Sequence, residues 1–174
     1  MDLRIIKTKK AIREAFFSLR RNSTLDKVKV KDICALAMIN KTTFYKHYED
    51  IYALSDELEK EVVDMVIANL TAKGEIFTNP SRFITELPKA LNANHGMLYP
   101  LFHDNFDKLF VILEKRLKCC YSRKELTDEE DIVLTFAIGG ALHTMRQLKF
   151  ERNCDDALLT ENLSKILKKL NELK

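Results

Sequence analysis

The sequence predicts an all-α fold of about nine helices, and three observations carry that expectation. Only four Gly and three Pro stand among 174 residues rich in Leu, Ile, Ala, Lys and Glu, a composition that favours helices over sheets or disorder. Apolar residues recur at helical spacing in one segment after another. Residues suited to capping a helix stand just ahead of several of those segments. A chain of this length can bury one sizeable core, or carry a small module on a larger one.

The first helix is expected over 4–20, where RIIKTKKAIREAFFSLR places Ile5, Ile12, Phe16 and Leu19 on one face and lysines and arginines on the other. RNSTLD, 21–26, is rich in turn residues and predicts a loop. In VKDICALA the residues Val30, Ile33, Cys34 and Ala37 fall at i, i+3, i+4 and i+7, the stripe of a short second helix. Asp32 lies in its first turn, where a negative charge suits the helix dipole. Asn40 is a good N-cap and opens a third short helix to about Tyr48. There Phe44 and Tyr48, four apart, face inward with Ile39, leaving Lys41, Thr42, Thr43, Tyr45, Lys46 and His47 outside. Two short helices on a tight turn, the second with an exposed polar face, predict a helix-turn-helix whose second member is a recognition helix.

A long fourth helix is expected from Asp50, with Ile51, Leu54, Leu58, Val62 and Met65 at helical spacing for about 20 residues. TAKGEIFTNPS, 71–81, is the clearest break, with Gly74 and Asn79-Pro80. A helix interrupted or kinked at Pro88 runs on to about Ala93, NANHG makes a turn, and 97–121 reads as helix in two pieces parted near Pro100. Thr127 with Glu130 fits a capping box opening an apolar helix, in which Gly139-Gly140 would admit another backbone. The last helix, roughly 155–173, carries Leu158, Leu159, Leu163, Ile166, Leu167 and Leu170.

Charge is uneven along the chain. Residues 1–50 hold 12 Lys/Arg and 6 Asp/Glu, a net of +6, whereas 51–174 hold 17 and 20, a net of −3. The basic head suggests a polyanion partner, weighed evenly against a solvated basic face. No run of 18 apolar residues suggests a membrane span, and MDLRIIKTKK is too charged for the apolar stretch of a secretory signal, so a cytoplasmic protein is expected. Cys34, Cys119, Cys120 and Cys154 lack metal-finger spacing; a redox switch of Cys119 and Cys120 with Cys154 is weighed against ordinary reduced thiols. His47, His95, His103 and His143 are scattered, which favours solvated or hydrogen-bonded imidazoles over a metal site. Neither a P-loop, a nucleophile elbow nor a Gly-rich dinucleotide turn is found, so no enzyme and no cofactor is expected.

On VKVKDICALAMINKTTFYKHYEDIYAL the sequence resembles the TetR/AcrR family of bacterial transcriptional regulators, and within it the branch related to dihydroxyacetone-kinase regulators. The match is densest over 5–54, where the second helix, the turn and a TFY-x-H-[FY] recognition helix align without gaps; beyond residue 60 only helix order and length match. Three positions depart from the family pattern: Lys29 stands where Thr or Ser often caps the second helix, Met38 where the turn often has Gly, and Ile51 where a phosphate-reaching Lys usually follows the recognition helix.

The expectations that follow are a helix-turn-helix DNA-binding domain over 1–49 and a helical ligand-binding and dimerisation domain over 50–174. The N-terminal end of a recognition helix meets base edges in the major groove, which assigns Lys41, Thr42 and Thr43 to bases. Tyr45, Lys46 and His47, with Lys29 and Lys31 at the start of the second helix, are assigned to phosphates. The resemblance implies a homodimer through the last two helices, with Ile138, Ala141, Leu142, Leu163, Ile166 and Leu170 as candidates, weighed against filling the monomer's own core, with many expected to do both. Two heads on such a dimer would read a near-palindromic operator in double-stranded DNA. It also implies an apolar cavity for a small-molecule effector, for which Tyr99, Phe102, His103, Phe106, Phe110 and Phe136 are candidates, weighed against plain core. The competing expectation is a protein of the same fold that acts through a partner protein and binds DNA weakly or not at all.

Overall fold

The computed structural model describes residues 3–121, 127–151 and 155–172, whose regular elements are all helices, without a strand. The helices are α1 (Leu3–Arg20), α2 (Val30–Leu36), α3 (Lys41–Tyr45), α4 (Ile51–Asn69), α5 (Pro80–Ala93), α6 (His95–Phe102), α7 (Phe106–Tyr121), α8 (Asp128–Met145) and α9 (Asp156–Asn171). A 3-10 turn (Leu25–Lys27) lies between α1 and α2, and a π-helical segment (Arg146–Glu151) follows α8. None of these helices is long and apolar enough to cross a membrane.

The backbone gathers into two compact units, Met1–Val62 with His95–Phe106, and Val63–Asn94 with Asp107–Lys174. This division falls inside α4 and differs from the predicted segments 1–49 and 50–174, because α6 joins the first unit.

In the first unit α1 packs against α2 and α6, and α2 against α3. Ile12, Phe16, Ile33, Phe44, Leu54 and Leu58 are fully buried and supply its core. The N-terminal turns of α1 run past that core, which leaves Ile5 exposed, against expectation, two turns before the first buried side chain. The carboxylate of Asp50 accepts the Ala53 N–H at 2.7 Å, so the predicted N-cap starts α4. Farther along α4, Val62, Val63 and Val66 are buried and Met65 is exposed, against expectation. The expected break at Pro100 lies instead at 103–105: α6 continues through Pro100, whose ring is buried beside Leu98 and Leu101.

In the second unit α5 and α8 each pack against α9. Asn79 caps α5, which continues through a buried Pro88. The capping box of Thr127 and Glu130 opens α8 as predicted. Among the described residues, what a Cβ on Gly139 would meet first is the Glu114 carboxylate, at 3.6 Å, and one on Gly140 would meet nothing within 4 Å, so neither glycine is seen to admit a neighbouring backbone.

Candidate nucleic-acid interface

The helix-turn-helix is built from α2 and α3. Lys29 holds the extended N-cap position of α2 without a side-chain capping bond, so its ammonium is left to solvent, as is that of Lys31. Ile33 and Cys34 anchor α2 from beneath. Burial pushes the Cys34 thiol above its ordinary range, with the Lys41 charge pulling the other way.

The turn is a helix stop with two returning bonds: the Ile39 N–H donates to Cys34 O at 3.0 Å and the Met38 N–H to Ala35 O at 3.4 Å. That geometry places Met38 in the left-handed region, at φ 52°, where a glycine is the ordinary occupant. The Met38 side chain is 91% exposed, so no interior packing offsets the strain of about 1 kcal/mol.

Asn40 caps α3, its carboxamide oxygen accepting the Thr43 N–H at 2.7 Å and the Thr43 hydroxyl at 2.9 Å. The helix is a single short run to Tyr45, extended by bonds from the His47 and Tyr48 N–H groups to Phe44 O at 2.9 and 3.0 Å, which accounts for the predicted end near Tyr48. Phe44 and Tyr48 are buried as expected, with ring centroids 5.8 Å apart. The Tyr48 hydroxyl donates to Glu57 Oε1 on α4 at 3.1 Å, and Lys9 on α1 donates to the same oxygen at 3.1 Å with its ammonium 5.2 Å from the Tyr48 ring centre. Burial, and then the charge of Glu57, push the Tyr48 phenol far above its ordinary value. α3 therefore sits on a base tied to both α1 and α4.

The side chains assigned to DNA point away from that base. Lys41, Thr42, Lys46 and Tyr45 are exposed, Tyr45 to 55%, while Thr43 and His47 are half-buried. Because the Thr43 hydroxyl hydrogen is donated to Asn40 Oδ1, that residue has only its methyl and the lone pairs of its oxygen left to offer a base. Ile51, half-buried at the start of α4, presents no cation.

Some cations of the first unit are paired and others are not. On α1, Lys9 pairs with Glu57, Lys10 with Glu14, Arg13 with Glu61 and Arg20 with Asp104. Lys29, Lys31, Lys41 and Lys46 form no ion pair among the described residues. These four lysines are exposed on or beside α2 and α3, in a segment, 26–50, that also carries Lys27 and the acids Asp26, Asp32, Glu49 and Asp50, a net of +1. The Arg20–Asp104 and Tyr48–Glu57 pairs carry no local sequence signal, because each joins separate helices.

The other candidate sets fare differently. Ile138, Ala141, Leu142 and Leu163 are buried within the monomer and have no surface to offer a second copy, which corrects that expectation; Leu170 is half-buried and Ile166 is exposed. Of the effector candidates, Phe102 is core, Tyr99, Phe106 and Phe136 are exposed, and His103 and Phe110 are half-buried. None of the six lines either of two open clefts, one of about 450 Å³ along Val111, Glu114, Lys115, Lys118 and Cys119, the other of about 520 Å³ between α1 and α4. Tyr99 instead stacks between His95 and His103, with centroid separations of 5.4 and 5.0 Å. Cys34, Cys119 and Cys120 are free thiols, and Cys154 lies outside the described residues. Among the described residues no three His, Cys, Asp or Glu side chains group to hold a metal ion.

Comparison with protein-family models, with curated proteins and with solved structures finds no match for this chain.

Proposed function

We propose that this chain is a dimeric transcriptional regulator of the TetR/AcrR type, most simply a repressor, whose helix-turn-helix binds double-stranded DNA and whose affinity is set by a small-molecule effector. The observation that carries this reading is α3 itself: it is N-capped by Asn40, seated on buried Phe44 and Tyr48, and leaves Lys41, Thr42, Tyr45 and Lys46 exposed. A helix held this way fits the major groove with its first turn against base edges, while Lys29, Lys31, Lys46 and the Tyr45 hydroxyl reach phosphates on either side.

One head carries few base-reading side chains, so specificity calls for two heads on a symmetric dimer and a near-palindromic site. Exposed Ile132 and Phe136 on α8 and exposed Leu158 and Ile166 on α9 are the apolar surface available for that contact. An effector then acts by binding one separation of the two heads better than another, moving the population towards or away from the DNA-binding state.

The test is binding of the purified protein to the DNA immediately upstream of its own gene, titrated in salt beside an unrelated duplex of equal length. The proposal expects preference for the upstream duplex that survives moderate salt. Equal binding to both duplexes, or none, would refute it.

A further inference from the structure

We infer that Glu57 of α4 is a positioning residue for α3: one oxygen of its carboxylate fixes the seat from which Lys41 and Thr42 would meet base edges. The consequence for DNA rests on the proposed function, whereas the hold on α3 does not.

α3 is too short to keep its own orientation. Its five residues, Lys41–Tyr45, make little more than one turn, and a helix of that length draws its stability from its surroundings. Asn40 caps it from within the same segment, which shapes its start but anchors it to no other helix. Burial of Phe44 and Tyr48 sets how deep the segment sits, yet apolar burial is non-directional and opposes rotation on the seat only weakly. The directional link is the Tyr48 hydroxyl, which donates to Glu57 Oε1 at 3.1 Å. Lys9 Nζ of α1 donates to that same oxygen at 3.1 Å and lies 5.2 Å from the Tyr48 ring centre, so the acceptor is itself held in place. Burial and the Glu57 charge keep the phenol protonated, so its hydroxyl remains the donor. Four residues further along both helices Arg13 meets Glu61 at 2.5 Å, a second rung that joins α1 to α4 through neither Tyr48 nor Glu57. Loss of the Glu57 carboxylate therefore loosens α3 while Arg13 and Glu61 still join α1 to α4.

The test is hydrogen exchange of single backbone amides in the whole chain, read beside DNA binding. Tyr48→Phe and Glu57→Ala should each speed exchange of the Phe44, His47 and Tyr48 N–H groups about fivefold to tenfold, as loss of one hydrogen bond predicts, and leave the amides of α1 within about twofold of native. Glu57→Gln keeps an oxygen acceptor for both donors and should restore near-native exchange, and Glu61→Ala, which breaks only the other rung, should leave α3 as it is. On DNA, Tyr48→Phe and Glu57→Ala should lower the preference for the upstream duplex about fivefold to tenfold with an unchanged salt slope, because no phosphate contact is lost. Unchanged exchange in α3 would overturn the inference, as would equal acceleration in α1, equal acceleration by Glu61→Ala, or a Glu57→Gln variant no better than Glu57→Ala. So would a native preference for the upstream duplex that persists when exchange in α3 is accelerated. A native chain without that preference refutes the proposed function alone, and exchange then still decides whether Glu57 holds α3.

Discussion

Arg20 and Asp104 are joined by two parallel hydrogen bonds, Nη1 donating to Oδ2 at 2.9 Å and Nη2 to Oδ1 at 2.7 Å, across 84 residues of chain. The guanidinium is fully buried and also donates to Ser23 O at 2.9 Å and Leu101 O at 3.1 Å, while the carboxylate accepts the Leu25 N–H at 2.9 Å. A single ion pair thus closes the end of α1, the 3-10 turn and the end of α6. Removing one member strands the other charge, whereas removing the guanidinium also removes the charge that needed solvation. Asp104→Ala is therefore expected to cost about 3–5 kcal/mol in urea unfolding, and Arg20→Met distinctly less. Equal costs, or a loss under about 1 kcal/mol for Asp104→Ala, would contradict the assignment.

The same carboxylate sets an acid limb to stability. Burial alone would push it up, but the hydrogen bonds from Arg20 and from the Leu25 N–H, with the guanidinium charge, outweigh that and hold it down to about 2, against an ordinary 3.8. A carboxylate with a depressed folded value stabilises the fold above the unfolded value, and that stability is lost as pH falls from near 4 towards 2. After solvent screening the contribution is about 1 to 2 kcal/mol. Unfolding free energies measured between pH 6 and 2 should show this loss in the native chain, and Asp104→Asn should flatten it. An unchanged slope in Asp104→Asn would assign the acid limb elsewhere.

Helix starts were legible in the sequence because their determinants are local. Asn40, Asp50 and Thr127 announce helix starts within three residues of the N–H groups they cap, and the i, i+4 pair Phe44 and Tyr48 identifies the buried side of α3 from spacing alone. The return of α6 to the first unit was not legible, since Arg20 and Asp104 each stand in unremarkable surroundings and only the folded chain brings them together. The dimer candidates on α8 failed for a different reason. That helix is apolar nearly all round, so a 3.6-residue period cannot say which stripe faces inward; Ile138 and Leu142 are buried, and Ile132 and Phe136 are exposed. On α9 the stripe of Leu159, Leu163 and Leu167 fills the core, and Leu158 and Ile166, which the same periodicity had grouped with it, face outward.

If the DNA-binding proposal holds, the exposed residues of α3 divide their labour. Lys46→Ala and Tyr45→Phe should weaken binding to every duplex, and Lys46→Ala should lower the salt slope by about 1. Lys41→Ala and Thr42→Ala should instead change the preference among operator variants by about 1–3 kcal/mol at the base pair concerned. All four positions are exposed, so thermal stability should be unaffected. Competition binding against a set of single-base operator variants reads both effects, and uniform losses from all four substitutions would contradict the division.

Burial also separates stability from assembly along α9. Leu163 is 6% exposed, and Leu163→Ala should cost about 2–5 kcal/mol through the cavity it leaves. Ile166, three residues on, is 53% exposed, and an acidic side chain there meets solvent in the monomer but an apolar surface in the proposed dimer. Ile166→Asp, and Phe136→Asp on α8, should leave the folded monomer within about 0.5 kcal/mol of native and shift sedimentation from dimer to monomer. DNA affinity should then fall steeply, because two heads bind far more tightly than one. A dimer that tolerates both acidic substitutions would place the contact on another surface, and a native chain that sediments as a monomer at micromolar concentration would remove the paired heads on which operator recognition depends.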